Sequence, residues 1–141
     1  HPVEVIAQKL GEFAELLGYD LDRMEVSTGE KVRLTLYWRA VNEEPLTTSY
    51  TVFTHLLSED GRLIGQHDGV PVGGERPTTS WVSGEVIVDV HEMEFKDLSY
   101  RGRALIEVGL YKSLTVERVL TEDGRDHIIL PTEIVVRPTR R

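Results

Sequence analysis

The chain contains no cysteine. That one absence excludes a disulfide framework, thiolate zinc sites, iron–sulfur ligation and a cysteine nucleophile together. Long apolar runs are missing too: none approaches the ~20 residues needed to cross a bilayer, so this segment is not expected to insert in a membrane. Positive charge is in short supply. Sixteen Lys and Arg stand against twenty-four Asp and Glu, a formal net charge of −8. Such a domain repels a phosphate backbone, which argues against nucleic acid as a partner, and anionic membrane surfaces are disfavoured for the same reason. There is no Ser-centred elbow, no P-loop and no Gly-x-Gly-x-x-Gly. The opening His1-Pro2-Val3-Glu4 lacks the basic start and apolar stretch of a signal peptide. It also lacks an initiator Met, which reads as a piece of a longer polypeptide.

What is present is alternation with a period of two. The 141 residues suit one domain, 1–141 with its core over about 13–136, able to bury a sizeable interior without staples. Lys31 to Arg39 is the clearest strand, with Val32, Leu34, Leu36 and Trp38 on one face and Arg33, Thr35, Tyr37 and Arg39 on the other. Tyr50 to Leu57 is apolar on both faces and reads as a central strand. Ser58-Glu59-Asp60-Gly61 then marks a hairpin, with Arg62 to His67 returning. In Glu85 to Phe95, Val86, Val88 and Val90 share one face while Met93 and Phe95 fall on the other, a phase slip that predicts a bulge near His91. Arg103 to Tyr111 alternates cleanly. Val116 to Leu120 and Asp126 to Leu130 flank Glu122-Asp123-Gly124-Arg125, a second hairpin candidate, and Thr132 to Arg137 is a last short strand. At the start, Ile6, Leu10, Phe13 and Leu17 also satisfy one face of a helix, but Gly11, Gly18 and Glu25-Val26 favour strands around a turn. Arg140-Arg141 reads as a fraying basic end. The expectation is an all-β antiparallel β-sandwich of about eight or nine strands, jelly-roll or immunoglobulin-like.

One stretch breaks the pattern. Gly65 to Glu85 holds two of the six prolines, five of the twelve glycines and one of the two tryptophans. A long irregular segment inside a compact domain is usually functional.

The order of several segments carries a resemblance. Leu17-Gly18-Tyr19-Asp20-Leu21 leads to Thr28-Gly29-Glu30 and Leu34-Thr35-Leu36-Tyr37-Trp38-Arg39-Ala40. Tyr50-Thr51-Val52-Phe53-Thr54-His55-Leu56, Asp60-Gly61, Gln66-His67-Asp68, Pro77-Thr78-Thr79-Ser80-Trp81, Gly84-Glu85 and Val108-Gly109-Leu110-Tyr111 follow. This series resembles the β-sandwich region C-terminal to the membrane-spanning part of bacterial glycosyltransferase-like proteins of the dolichyl-phosphate-mannose and aminoarabinose transferase type. The resemblance covers roughly residues 13–136. It implies an extracytoplasmic position on a larger membrane protein, with the rest of that polypeptide or a glycan as partner. It carries no catalytic residues, and the transferase's membrane helices and acidic catalytic loop have no counterpart in this chain.

The candidate ligand-binding set is Trp81 and Tyr50 as stacking platforms, with Gln66, Asp68 and Arg76 as hydrogen-bonding groups. Each has a plainer alternative. Trp81 also suits a plug at one end of the sandwich. Asp68, Arg76, Thr78 and Thr79 also suit loop bracing. His55, His67 and His91 are metal ligands only if they converge, and none sits at a short zinc-like spacing. Asp20, Asp22 and Asp68 are weak calcium candidates, since calcium asks for ~6–8 oxygens from a folded loop; no other cofactor is expected. The function expected is a non-catalytic extracytoplasmic accessory module, carbohydrate-binding in its sharpest form. The alternative is a purely structural or protein-interaction domain. A glycoside hydrolase is a distant third, because carboxylate pairs at ~5–9.5 Å arise easily in so acidic a chain.

Overall fold

The computed structural model describes residues 4–138, so His1 and Arg140-Arg141 lie outside the described residues. Ten strands and two short 3-10 turns make up the regular structure. The strands are β1 (Glu4–Leu10), β2 (Ala14–Leu21), β3 (Glu25–Ser27), β4 (Val32–Ala40) and β5 (Tyr50–Leu57). They continue with β6 (Leu63–Gly69), β7 (Val86–Phe95), β8 (Gly102–Lys112), β9 (Ile128–Ile129) and β10 (Ile134–Arg137). Hydrogen bonding runs without a break through the order β1-β2-β4-β7-β6-β5-β8-β10-β3, with β9 attached to β8. All pairs are antiparallel except β10 with β3. The chain is thus all-β and almost wholly antiparallel, as its alternation predicts, and the sheet curls into a half-barrel instead of dividing cleanly into two sheets.

The curl is made by β7. Val86 to Met93 pair with β4, then Glu94 and Phe95 pair with Gln66 and Gly65 of β6. At this crossing a Cβ on Gly65 would stand 2.6 Å from the Glu94 carbonyl oxygen, so only glycine permits the approach. The inward row of β7 is Ile87, Asp89, His91, Met93 and Phe95, all buried. Val86, Val88 and Val90 face outward and are about half exposed, at 48%, 49% and 46%. This corrects the expected bulge near His91: the β4–β7 register is unbroken from Val32↔Met93 to Arg39↔Val86. Valine, being apolar, suits the inner row on propensity alone. Asp89 and His91 hold that row instead because they hydrogen-bond each other, which offsets the cost of burying polar groups. Bulges do occur, at Leu16/Gly18 in β2, between Val5 and Gln8 in β1, and opposite Leu56/Leu57, where β6 carries the extra residue Ile64.

Elsewhere the inner rows follow the alternation. Val32, Leu34, Leu36, Trp38 and Ala40 of β4 are fully buried, as are Ala104, Ile106, Val108 and Leu110 of β8. Burying each large apolar side chain contributes on the order of 1.5–3 kcal/mol. Both Asp-Gly turns form, and they are the same five-residue device used twice. In Ser58-Glu59-Asp60-Gly61-Arg62 the Ser58 hydroxyl donates to Asp60 and accepts from the Arg62 N–H, with Gly61 at φ +84. In Thr121-Glu122-Asp123-Gly124-Arg125 the Thr121 hydroxyl does the same for Asp123 and Arg125, with Gly124 at φ +84. Glycine in the left-handed region completes a three-residue hairpin loop. The second device does not join two full strands. Only Ile128–Ile129 pairs as a strand, and the segment from Val116 to Leu120 makes a single bridge, Tyr111↔Arg118. A left-handed Val116, at φ +54, turns the chain too sharply for a ladder there.

Candidate functional site

The irregular segment is shorter than its sequence suggests, because β6 runs on to Gly69 and leaves residues 70–85 outside the strands. It is braced from within. The Trp81 indole N–H donates to the Arg76 carbonyl at 3.1 Å, and its ring lies 6.4 Å from that of Trp38. Trp81 is 2% exposed, so it offers no face on which a sugar ring could stack; it is the plug. Arg76 pairs with Glu85 and reaches Ser80 Oγ at 3.2 Å. The Val82 N–H, followed by Arg76, holds the Glu85 carboxyl below the ordinary range. Thr78 is buried; its hydroxyl accepts from the Tyr50 N–H at 3.1 Å and donates to the Thr48 carbonyl at 3.2 Å.

Behind the loop lies a buried polar chain. Asp89 Oδ1 accepts from the Val72 N–H at 2.8 Å, while Oδ2 accepts from His91 Nε2–H at 2.6 Å and from the Trp38 indole at 3.3 Å. A carboxylate only accepts, so His91 carries its proton on Nε2. His91 Nδ1 is 2.8 Å from His67 Nδ1. One of the two rings donates to the other across this contact. Burial, and secondarily His91, holds His67 below the ordinary imidazole range. The loop contributes a left-handed valine to this chain, Val72 at φ +57, a conformation unfavourable for a β-branched residue. With three donors on Asp89 and a partner for each facing nitrogen, the network is satisfied and reads as the fastening of loop to sheet.

Gln66 and Asp68 go elsewhere. They stand opposite His55 and Phe53 on the other side of the sheet. Asp68 Oδ2 accepts from the Tyr111 hydroxyl at 3.1 Å, and His55 Nδ1 contacts Glu107 Oε1 at 3.0 Å. That contact lowers the Glu107 pKa. Phe53 is buried beneath this group, with the Arg118 guanidinium 4.2 Å above its ring and Gly109 leaving the room beneath it. His55 and His67 sit on paired strands, as expected, yet on opposite faces: His67 is opposite the buried Thr54 and joins His91, whereas His55 joins Glu107. Among the described residues no three His, Asp or Glu side chains are grouped to hold a metal ion. Asp22 Oδ1 accepts from the Arg33 N–H at 2.9 Å. No hydrogen bond or ion pair joins Asp20, Asp22 and Asp68 to one another among the described residues.

A second candidate place lies outside that segment. An open groove of about 1100 Å³ runs between the β1–β2 turn, the connection after β4 and the connection after β8. Tyr50 is the one candidate residue that lines it. Its ring stacks on Phe13 with centroids 4.5 Å apart. The walls are tied by Gly11 N–H to Leu120 O and Val41 N–H to Phe13 O, each 2.9 Å. Asn42 is 5% exposed; its Nδ2 donates to Glu44 O at 2.9 Å, and its Oδ1 has no partner. Glu12, Glu43, Glu44 and Glu122 surround the groove with no ion-pair partner among the described residues. Sequence reasoning gives no site role to Phe13 or Asn42 and reads Glu43-Glu44 as a solvated turn. The available signal was a polar connection with Pro45 in it, directly before the aromatic-led strand β5. A scan against protein-family models matches none, and searches of curated proteins and of solved structures return no match.

Proposed function

We propose that this domain is a non-catalytic binding module that takes a carbohydrate in the groove beside Tyr50. The observation that supports it is the groove itself, lined by the partly buried Tyr50 ring and by four carboxylates that have no ion-pair partner among the described residues. Such a combination of apolar platform and orienting polar groups suits a polyhydroxylated ligand. Hydroxyl groups would donate to the carboxylates while the ring plane covers Tyr50. The resemblance to the accessory region of membrane glycosyltransferase-like proteins supports an extracytoplasmic module attached to a larger polypeptide. On the same reading, the curled sheet is a sandwich of jelly-roll or immunoglobulin type whose two limbs remain joined through β7.

The test is isothermal calorimetry of the domain against a panel of neutral, acidic and amino oligosaccharides. Binding by at least one class that is lost in Tyr50→Ala is the expected outcome. Binding that survives Tyr50→Ala removes the groove from the account. A second reading, a protein-interaction domain, is favoured by the exposed row Val86, Val88 and Val90 beside the half-buried Tyr37.

A further inference from the structure

Two of the three histidines that the sequence offers as metal ligands do converge. His67 Nδ1 and His91 Nδ1 are 2.8 Å apart, with ring centroids at 5.0 Å. They come from different strands, β6 and β7, just beyond the last residues that those strands pair, Gln66 and Glu94. Among the described residues no third ligating side chain joins them.

His91 is oriented from behind. Its Nε2–H donates to Asp89 Oδ2 at 2.6 Å, and Asp89 is itself held by the Val72 N–H at 2.8 Å and the Trp38 indole at 3.3 Å. A carboxylate that takes the far N–H of an imidazole fixes the ring and makes the near nitrogen a better donor of its lone pair; metal-bound histidines are held in this way. His67 is exposed and faces that near nitrogen directly. The buried His91 nitrogen is therefore reached by turning one surface ring, not through the core.

The spacing selects among ions. Two nitrogens at the usual metal distance lie about 2.9 Å apart when they subtend a right angle, and about 3.3 Å apart at the tetrahedral angle. The observed 2.8 Å matches the right angle, the geometry of tetragonal copper(II) and nickel(II), better than the tetrahedral preference of zinc. Imidazole suits these ions, and copper(II) stands highest in the divalent series.

We propose that His67 and His91 form a two-nitrogen site for a late transition-metal ion, copper(II) foremost, with water in the remaining positions. Neither histidine lines the groove, so this site stands apart from the carbohydrate reading. Each ring gives a lone pair from Nδ1, and the proton shared between them is displaced. It moves to Nε2 if His67 was the donor, and leaves to solvent if His91 was. Because Asp89 also holds Val72, an ion bound there would fasten residues 70–85 more firmly to the sheet.

The test is amide NMR of the full chain with copper(II), whose unpaired electron broadens nearby signals, together with calorimetry. Broadening centred on residues 66–68 and 90–92 is expected, with a melting temperature that rises with copper(II) concentration. His67→Gln, at an exposed position, should weaken copper by more than the roughly tenfold that loss of an outer partner alone causes. Magnesium(II), which prefers oxygen ligands, should leave these signals unmoved. Broadening centred instead on His1, or on His55 and His127, would overturn the site. So would copper affinity unchanged in His67→Gln, or an equal response to magnesium(II). If His67→Gln does not fold, the nitrogen hyperfine couplings of the unaltered chain with copper(II) decide: two imidazole nitrogens uphold the site located by broadening, and one or none overturns it.

Discussion

Asp89 and His91 occupy positions on β7 that alternation reserves for apolar side chains, and both are essentially inaccessible, at 0% and 1%. Their burial is tolerated because the inward-facing polar atoms are paired: Trp38, Val72 and His91 donate to the carboxylate, and the His91 ring shares a hydrogen bond with His67. Removing one member leaves a charge or dipole buried alone. His91→Ala is expected to cost about 3–5 kcal/mol in urea denaturation, the range for breaking a buried pair. By contrast, Glu133→Gln, which removes the exposed partner of Arg103, should change stability by less than about 1 kcal/mol. The His67 pKa is lowered from 6.5 in the folded state. Between 6.5 and that lower value the unfolded chain binds more protons, so the stability this group contributes is full above 6.5 and falls as pH drops. His67→Gln should flatten that part of the melting-temperature profile. A slope unchanged in the variant would assign it to another group.

Strand β7 shows how one element sets the shape of its neighbours. It begins in the limb with β4 and ends in the limb with β6, and the join depends on Gly65. Gly65→Ala would force a methyl into the Glu94 carbonyl. It should cost about 1–3 kcal/mol, the usual penalty for overpacking, with amide shifts concentrated at residues 64–66 and 94–95. Gly109→Ala tests a softer clash, since the nearest atom is the Phe53 ring edge at 2.4 Å, which has some freedom to tilt. The segment over residues 70–85 behaves as part of the same element pair. Ala40 and Gly84–Glu85 exchange backbone bonds of 2.9 and 2.7 Å, and Trp81 closes over Trp38. Because both indoles are buried, iodide should quench the tryptophan fluorescence of the folded domain very little.

For the molecule as a whole, the closing strand is local in neither sequence nor function. β10 pairs with β8 on one side and with β3, more than a hundred residues earlier, on the other. Ile134 and Val136 are buried in that seam. Ending the chain at residue 133 would remove both ladders and strip β3 of its partner. The expected outcome is a lowered melting temperature and loss of amide dispersion for residues 25–27 and 102–104. Tyr19 should respond too, since its hydroxyl contacts Thr132 Oγ1 at 2.5 Å beside the cut. A truncated chain with an unaltered spectrum would show that the seam is dispensable.

Much of this architecture is legible in the linear chain. The period of two over Lys31 to Arg39 and Arg103 to Tyr111, the two Asp-Gly turns and the lack of helical periodicity beyond Leu17 point to an all-β fold from local chemistry alone. A strand's alternation and a turn's glycine are each decided within a few residues. What alternation does not carry is which polar residues will find partners far along the chain. Nothing local marks Asp89 and His91 for the core, because their partners, Trp38, Val72 and His67, are brought to them only by folding. The groove was hidden for the same reason: Phe13, Asn42 and Val119 belong to three separate connections that meet at one end of the sheet. Sequence chemistry settles the strands and their turns, because those depend on neighbours. The curl of the sheet, the burial of Trp81 and the place where a ligand would enter were decided by tertiary structure, because each depends on contacts between segments tens of residues apart.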